Sequence, residues 1–343
     1  MTSASLNSEA GEPPAKAIAS NGAPDSSLTE SLIRVENLKV RFGDLYAVSG
    51  VSFTVAPGAF FGIVGESGSG KSVAARSLVN LLPPTANISG EIYFRGEDVL
   101  RASPQRLRQL RGSSIGFVFQ DAVAALDPVY TIGAQLVEAL RANSPATSQA
   151  TARRRAEELL GEVGIPDPQR CLASYPHQLS GGMKQRAVIA AALIADPDII
   201  IADEPTTALD VTVQRQVLDL LKRIAAAREL AVILITHDLG VVAEVCDRVA
   251  VFYGGLILEE ADTETLFEAP RHPYTAALLA SLPRLGTPAG FKAIPGAPPR
   301  VIGKVSACPF EPRCQRALPA CSAELPAEVL DPGHRYRCIN PQP

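Results

Sequence analysis

Eight consecutive residues, Gly65-Glu66-Ser67-Gly68-Ser69-Gly70-Lys71-Ser72, have the types and order that phosphate chemistry requires. Gly65, Gly68 and Gly70, with Ser67 and Ser69 between them, let the backbone turn its N–H groups inward around phosphate oxygens. Lys71 supplies positive charge to β- and γ-phosphates, and the Ser72 hydroxyl can ligate Mg²⁺. Asp203 and Glu204 close a second stretch, the apolar run Ile199-Ile200-Ile201-Ala202. A strand end is where an α/β sheet presents ligand groups. There Asp203 suits holding Mg²⁺ through water, and Glu204 suits polarising an attacking water. Ser180-Gly181-Gly182 opens a third stretch, Met183-Lys184-Gln185-Arg186 and onward, with the composition of a helix. Its first turn would present N–H groups, a hydroxyl and the positive dipole end to an anion. A simple cap explains Ser180 alone. It does not explain two glycines, each costing about 1 kcal/mol against alanine inside a helix.

These residues need a rigid frame, and the flanking sequence supplies one. Phe60-Phe61-Gly62-Ile63-Val64 is a continuous apolar run, as expected of a strand buried on both faces, and it feeds directly into Gly65. Residues 73–82 read as the helix that follows, closed by Pro83-Pro84. Residues 33–42 and, more loosely, 51–55 alternate apolar with polar and read as strands. Residues 199–202 and 231–235 read as two more buried strands, with helical spacing of Val, Leu and Ile between them over 211–230. Residues 147–163, rich in Ala, Arg, Glu and Leu, read as a further helix. Strand–helix–strand alternation predicts an α/β fold with a largely parallel sheet, present once in the chain.

Composition sets the limits. The 343 residues are 46% hydrophobic and 20% charged, which fits a packed globular body. A net charge of −4 argues against bulk nucleic-acid binding. The longest apolar run, residues 187–195, falls short of the roughly 18 residues of a membrane span. No secretory signal opens the chain, which predicts a cytoplasmic location. Residues 1–31, rich in Ala, Ser, Pro and Glu, predict a disordered leader. Four of the six cysteines, Cys308, Cys314, Cys321 and Cys338, fall in the last 36 residues, where prolines also crowd. Clustered thiols in a cytosolic chain suggest metal before disulfide, although the spacing lacks the CxxC pairs of a zinc ribbon. Cys171 and Cys246 are isolated and read as small buried hydrophobes.

Taken in order, the three phosphate-type stretches resemble the Walker A loop, the Walker B strand and the signature sequence (Leu179-Ser180-Gly181-Gly182-Met183-Lys184-Gln185-Arg186) of ABC transporter ATPases. Gln120 resembles the Q-loop glutamine of that family, Ala208-Leu209-Asp210 the D-loop, and His237 the switch histidine that contacts the γ-phosphate. Phe42 stands where the family places an aromatic against adenine, with Tyr46 as the alternative. The resemblance implies a RecA-like core, an antiparallel β subdomain and a helical subdomain at about 105–185, within an ATPase domain spanning 32–270. It implies ATP and Mg²⁺ as ligands, with Ser72, Gln120 and Asp203 around the metal. It also implies two ATPs sandwiched between two subunits, the signature residues Ser180, Gly181, Gly182 and Gln185 completing the partner's site.

A narrower likeness follows from His272-Pro273-Tyr274-Thr275, from Tyr175-Pro176-His177-Gln178 and from Cys308-Pro309-Phe310-Glu311-Pro312-Arg313-Cys314. These resemble bacterial oligopeptide, dipeptide and nickel importer ATPases, and imply a C-terminal Cys/Pro-rich module over 271–343. The expected partners are a second, non-identical ATPase (Val73 resembles the first of the two), two membrane permeases and an extracytoplasmic solute-binding protein, with no nucleic acid. The expected place is peripheral, on the cytoplasmic face of the inner membrane. Asp121-Ala122-Val123-Ala124 departs from the family pattern after Gln120 and bears on the coupling surface. Some members carry an iron–sulfur cluster on such a tail, and Cys308, Cys314, Cys321 and Cys338 would suit [4Fe–4S]. Zinc and four reduced thiols are the alternatives there. Nickel, another small solute, or a soluble non-transport role are the alternatives to peptide uptake.

Overall fold

Runs of apolar residues without polar alternation form the centre of the protein. The computed structural model describes residues 31–207, 209–282, 293–299 and 301–343. The expected leader up to residue 30, and Ala208 of the expected D-loop, lie outside the described residues. Twelve strands are present among them: β1 (Ile33–Phe42), β2 (Leu45–Val55), β3 (Phe60–Val64), β4 (Ala86–Phe94), β5 (Glu97–Asp98), β6 (Ile115–Val118), β7 (Ile199–Asp203), β8 (Ala231–Thr236), β9 (Arg248–Tyr253), β10 (Leu256–Asp262), β11 (Val329–Asp331) and β12 (His334–Tyr336). An eight-stranded sheet runs β11-β12-β10-β9-β3-β8-β7-β6, parallel from β9 to β6 and antiparallel beyond β9. A smaller antiparallel sheet runs β2-β1-β4-β5. The expected α/β class and buried strands are therefore present.

Side chains alternate across a strand, so each central strand feeds two cores. Phe61, Ile63, Ile199, Ile201, Ile233 and Ile235 meet the small sheet and the helix Lys71–Ser77. Ile200, Ala202, Val232 and Leu234 meet the helices Gly181–Leu193, Val211–Arg228 and Leu239–Val245 on the other face. Because β3, β7 and β8 are covered on both sides, their continuous hydrophobicity is what burial demands. The helix after the first loop is shorter than the sequence suggested. It ends at Ser77, and Asn80 then adopts a left-handed backbone at φ 50°. Helices Ile132–Asn143, Gln149–Glu162, Pro168–Ala173 and Gly181–Leu193 form a helical layer, with Thr131, Ser148, Asp167 and Ser180 capping their N-termini. β6 lies inside the range expected to be helical yet pairs with β7 as an edge strand of the large sheet.

The C-terminal residues are not a free-standing module. β12 pairs with β10 through Glu259, Glu260 and Ala261, and β11 adds outside it, so the tail extends the main sheet. Phe310 is 2% exposed within the main core cluster, its ring against Tyr253, Tyr274 and His272. A short proline-rich segment cannot bury enough apolar surface alone, and here the body supplies that surface. Among the described residues no helix is long and apolar enough to cross a membrane.

Candidate nucleotide site

The C-terminal ends of β3, β7 and β8 deliver the chemical residues to one place. Gly65 follows β3 at φ 146°, where an added Cβ would stand 2.1 Å from the Phe252 carbonyl oxygen. Gly70 precedes Lys71 at φ 102°, and a Cβ there would stand 2.2 Å from the Ala47 carbonyl. Only glycine fits either position, by backbone conformation and by space. The loop so formed buries Lys71, whose ammonium donates to the carbonyls of Gly65 at 2.8 Å and Glu66 at 2.9 Å. Burial lowers its pKa, opposed by the nearby charges of Glu204, Asp203 and Glu66.

Ser72 and Asp203 meet directly, the hydroxyl donating to Oδ1 at 2.7 Å. Asp203 is fully buried, its other oxygen has no hydrogen-bond partner, and burial pushes its pKa up. That oxygen faces only the Arg76 guanidinium, at 3.6 Å and beyond hydrogen-bond range, so a divalent cation would satisfy it and the donor set fits Mg²⁺. Glu204 leaves β7 in a left-handed conformation at φ 49°, which turns its carboxylate away from the strand. Its Oε2 accepts from Gln120 Nε2 at 2.9 Å and from Thr207 Oγ1 at 2.8 Å. His237, just beyond β8, places Nδ1 3.5 Å from Oε1 of the same carboxylate. Six motif residues from four segments, Lys71, Ser72, Gln120, Asp203, Glu204 and His237, thus lie close together.

The family comparisons accord with this geometry. The profile described as ABC transporter matches residues 48–207, and one described as oligopeptide/dipeptide transporter, C-terminal region, matches 258–321. The dipeptide transport ATP-binding protein DppD of Bacillus subtilis is 47% identical over 317 residues, covering 90% of this chain and 94% of that protein. The chain belongs to the ATP-binding proteins of the oligopeptide/dipeptide ABC transporter family. The oligopeptide transport ATP-binding protein OppD of Mycobacterium tuberculosis is 48% identical over 316 residues, 90% of this chain. The chain spans about half, 52%, of that relative's length. Among solved structures, the dimeric ATP-binding cassette MJ0796 bound to ADP and Pi aligns with TM-score 0.61 at 31% identity, covering 67% of this chain and 98% of that one. The cbiO1 cassette of Clostridium perfringens aligns with TM-score 0.61 at 28% identity, covering 69% and 91%.

The Walker A loop, Walker B pair, Q-loop glutamine and switch histidine therefore assemble within one chain. Among the described residues no hydrogen bond or ion pair joins the signature to them. Ser180 is the exposed N-cap of its helix, accepting from the Met183 N–H at 3.3 Å, with Gly181 exposed beside it. Gly182 has a role inside its own chain, because a Cβ there would lie 2.8 Å from Val213 Cγ1. Gln185, grouped above with the nucleotide residues, is 4% exposed with its side-chain nitrogen unpartnered, and so does not share the open end of the helix. Phe42 packs on the smaller core cluster, whereas Tyr46, the alternative, lines a cavity of about 810 Å³ beside Ser67 and Gly68. Pro299, Val301 and Ile302 of the tail line the same cavity. Tyr46 N–H donates to the Val301 carbonyl at 3.0 Å, and Ile302 bridges to Leu45. No sequence signal pointed to the tail as a wall of this cavity.

The tail thiols are drawn toward one another without forming a finished metal site. Among the described residues no group of three or more His, Cys, Asp or Glu side chains is arranged to hold a metal ion. Backbone N–H groups nevertheless reach two of the sulfurs. Leu318 donates to Cys321 Sγ at 3.4 Å and Asn340 to Cys338 Sγ at 3.3 Å. Burial raises the thiol pKa of Cys314 and Cys338, and that of Cys308 to about 11. Cys171 and Cys246 are buried apart from them, as expected of small core residues.

Proposed function

We propose that this chain binds and hydrolyses ATP to power uptake of di- and oligopeptides, docked on the cytoplasmic face of the inner membrane. The observation that carries the chemistry is the convergence of Lys71, Ser72, Asp203, Glu204, Gln120 and His237 beyond the ends of four parallel strands, β3, β6, β7 and β8. Lys71 and the loop N–H groups hold the β- and γ-phosphates. Ser72 and Asp203, with Gln120 near, would hold Mg²⁺, which when bound would supply charge neutralisation for those phosphates. Glu204, aimed by Gln120 and Thr207, orients and deprotonates the attacking water, and His237 faces the γ-phosphate. Tyr46 stacks on adenine. The open signature end, Ser180 and Gly181, contacts the nucleotide held by a second, non-identical subunit. Closure of the two subunits around ATP is the motion passed to two permeases, which receive peptide from an extracytoplasmic binding protein.

Peptide as cargo rests on the match over residues 258–321 and on the names of the relatives. Proteoliposomes holding the complete transporter should take up labelled peptide only with ATP, and a Lys71→Ala subunit should abolish uptake. Nickel uptake in place of peptide uptake would overturn the cargo assignment. ATP-independent uptake would overturn the energetic one. We further propose that Cys308, Cys314, Cys321 and Cys338 hold a [4Fe–4S] cluster. Supporting this are Cys321 and Cys338, whose sulfurs each accept a backbone N–H, a pattern that stabilises thiolate charge. Anaerobically purified protein should then contain about four iron and four sulfide per chain, and stoichiometric zinc or neither metal would refute it.

A further inference from the structure

Three motifs far apart in the sequence meet at one residue that the chemistry above leaves unused, Glu66 of the phosphate loop. Its backbone N–H donates to the Tyr274 hydroxyl at 3.0 Å, which explains the tyrosine of His272-Pro273-Tyr274-Thr275. Its carbonyl takes the Lys71 ammonium. Its carboxylate receives a two-pronged contact from Arg313 of the tail, NH1 to Oε2 at 2.6 Å and NH2 to Oε1 at 3.0 Å. The remaining guanidinium N–H groups are also spent, on Tyr253 Oη at 3.0 Å, Ile294 O at 3.3 Å and Pro295 O at 2.7 Å. All five donors of one arginine are matched, and its side chain is 6% exposed. Phe310, three residues upstream, fixes the same segment in the core against Tyr253 and Tyr274.

We propose that Arg313 is a positioning residue of the phosphate loop, reaching it from the C-terminal tail. A carboxylate within a loop built to hold a triphosphate opposes the ligand's charge. Arg313 neutralises that carboxylate and fixes it on the tail side of the loop. Tyr274 meanwhile fixes the Glu66 peptide, so the carbonyls of Gly65 and Glu66 stay where Lys71 rests before phosphate arrives. Arginine is required because lysine cannot form the fork or fill the three further acceptors. The tail therefore contributes to nucleotide affinity in its own chain, in addition to any role at the membrane.

The inference rests on the reading that this loop binds ATP. A fluorescent ATP analogue titrated into the full-length chain tests both, because wild-type protein that fails to bind would sink that reading itself. With wild type binding, Arg313→Gln should raise the dissociation constant by about tenfold or more, as expected when one member of a buried charge pair is removed. Turnover at saturating ATP should change by less than about twofold, because Glu204 and His237 are untouched. In Glu66→Gln/Arg313→Gln the uncompensated charge is gone, and the double variant should bind ATP markedly more tightly than Arg313→Gln. An Arg313→Gln protein that binds like wild type overturns the proposal. So does a double variant as weak as the single one, since Arg313 would then only support the tail's fold. If Arg313→Gln does not fold, Arg313→Lys is read by the first criterion: ATP binding weaker than wild type supports the proposal, and wild-type binding overturns it.

Discussion

Glu204→Gln tests the assignment of the base most directly, because the structure shows how little else the change disturbs. The wild-type carboxylate uses Oε2 to accept from Gln120 and Thr207 and turns Oε1 toward His237 Nδ1. A glutamine amide can keep its oxygen on the Gln120 and Thr207 side and turn its NH₂ toward the histidine nitrogen. Geometry and volume survive; basicity does not. General-base catalysis is worth about 10²–10⁴-fold, or about 3–5 kcal/mol of barrier, and turnover should fall within that range. ATP affinity should stay within about twofold, since the phosphate contacts belong to Lys71 and the loop. Phosphate release under multiple turnover, beside analogue titration of the same preparation, separates the two quantities. A variant that hydrolyses ATP at the wild-type rate refutes the assignment, and one that loses ATP binding shows that Glu204 holds the nucleotide rather than the water.

Gly181→Asp should abolish turnover of the assembled pair by setting a carboxylate against the partner's nucleotide, while the isolated chain binds ATP normally in equilibrium titration. Gly181 is chosen over Gly182 because the nearest atom to its added Cβ is 3.8 Å away, whereas at Gly182 it would strike Val213. Tyr46→Ala should weaken ATP binding by about tenfold through lost stacking, and Phe42→Ala should reduce the melting temperature instead, both read from one set of titrations and melts. His272 is buried with a pKa lowered by burial to about 4, its Nδ1 capping the helix Pro273–Ala280 by accepting from the Tyr274 N–H. A neutral buried histidine contributes stability above its unfolded pKa near 6.5 that is lost as pH falls toward 4. The melting temperature of wild type should accordingly drop more steeply across that interval than that of His272→Asn, which can still cap.

Much of the site was legible in the sequence because its parts are local. A glycine loop, an apolar strand ending in two acids and a Ser-Gly-Gly helix start each carry their meaning within eight residues. Buried strands β3, β7 and β8 were legible for the same reason, their hydrophobicity being continuous. What pairing decides was not legible. β4 is a half-exposed partner of β1, β5 is two residues paired to β4, and β6 is four residues that become a strand only because β7 lies beside them. Tyr46 over Phe42 could not be chosen from spacing, because the turn between β1 and β2 decides which ring faces Ser67 and Gly68.

The tail is the largest departure, and its cause is physical. Its prolines and clustered cysteines suggested a Cys/Pro-rich module with metal chemistry of its own. In the fold, Glu259 at the centre of β10 is fully buried and accepts from the backbone N–H groups of Arg271 and His272 and from His334 Nε2 at 2.7 Å. One body carboxylate thus ties the entry to the tail and β12 together, since a charge buried that deeply needs several donors at once. Phe310 fills the adjacent core and Arg313 reaches the phosphate loop, so the segment carrying Cys308 and Cys314 is fixed at both its middle and its end. Any chemistry at these thiols would therefore act within a segment whose Arg313 touches the phosphate loop through Glu66. Burial alone slows reagents at Cys308, Cys314 and Cys338 by keeping them protonated, so labelling rates cannot report a bound cluster. Iron and sulfide content, read beside ATP affinity in the same preparation, can separate the two causes.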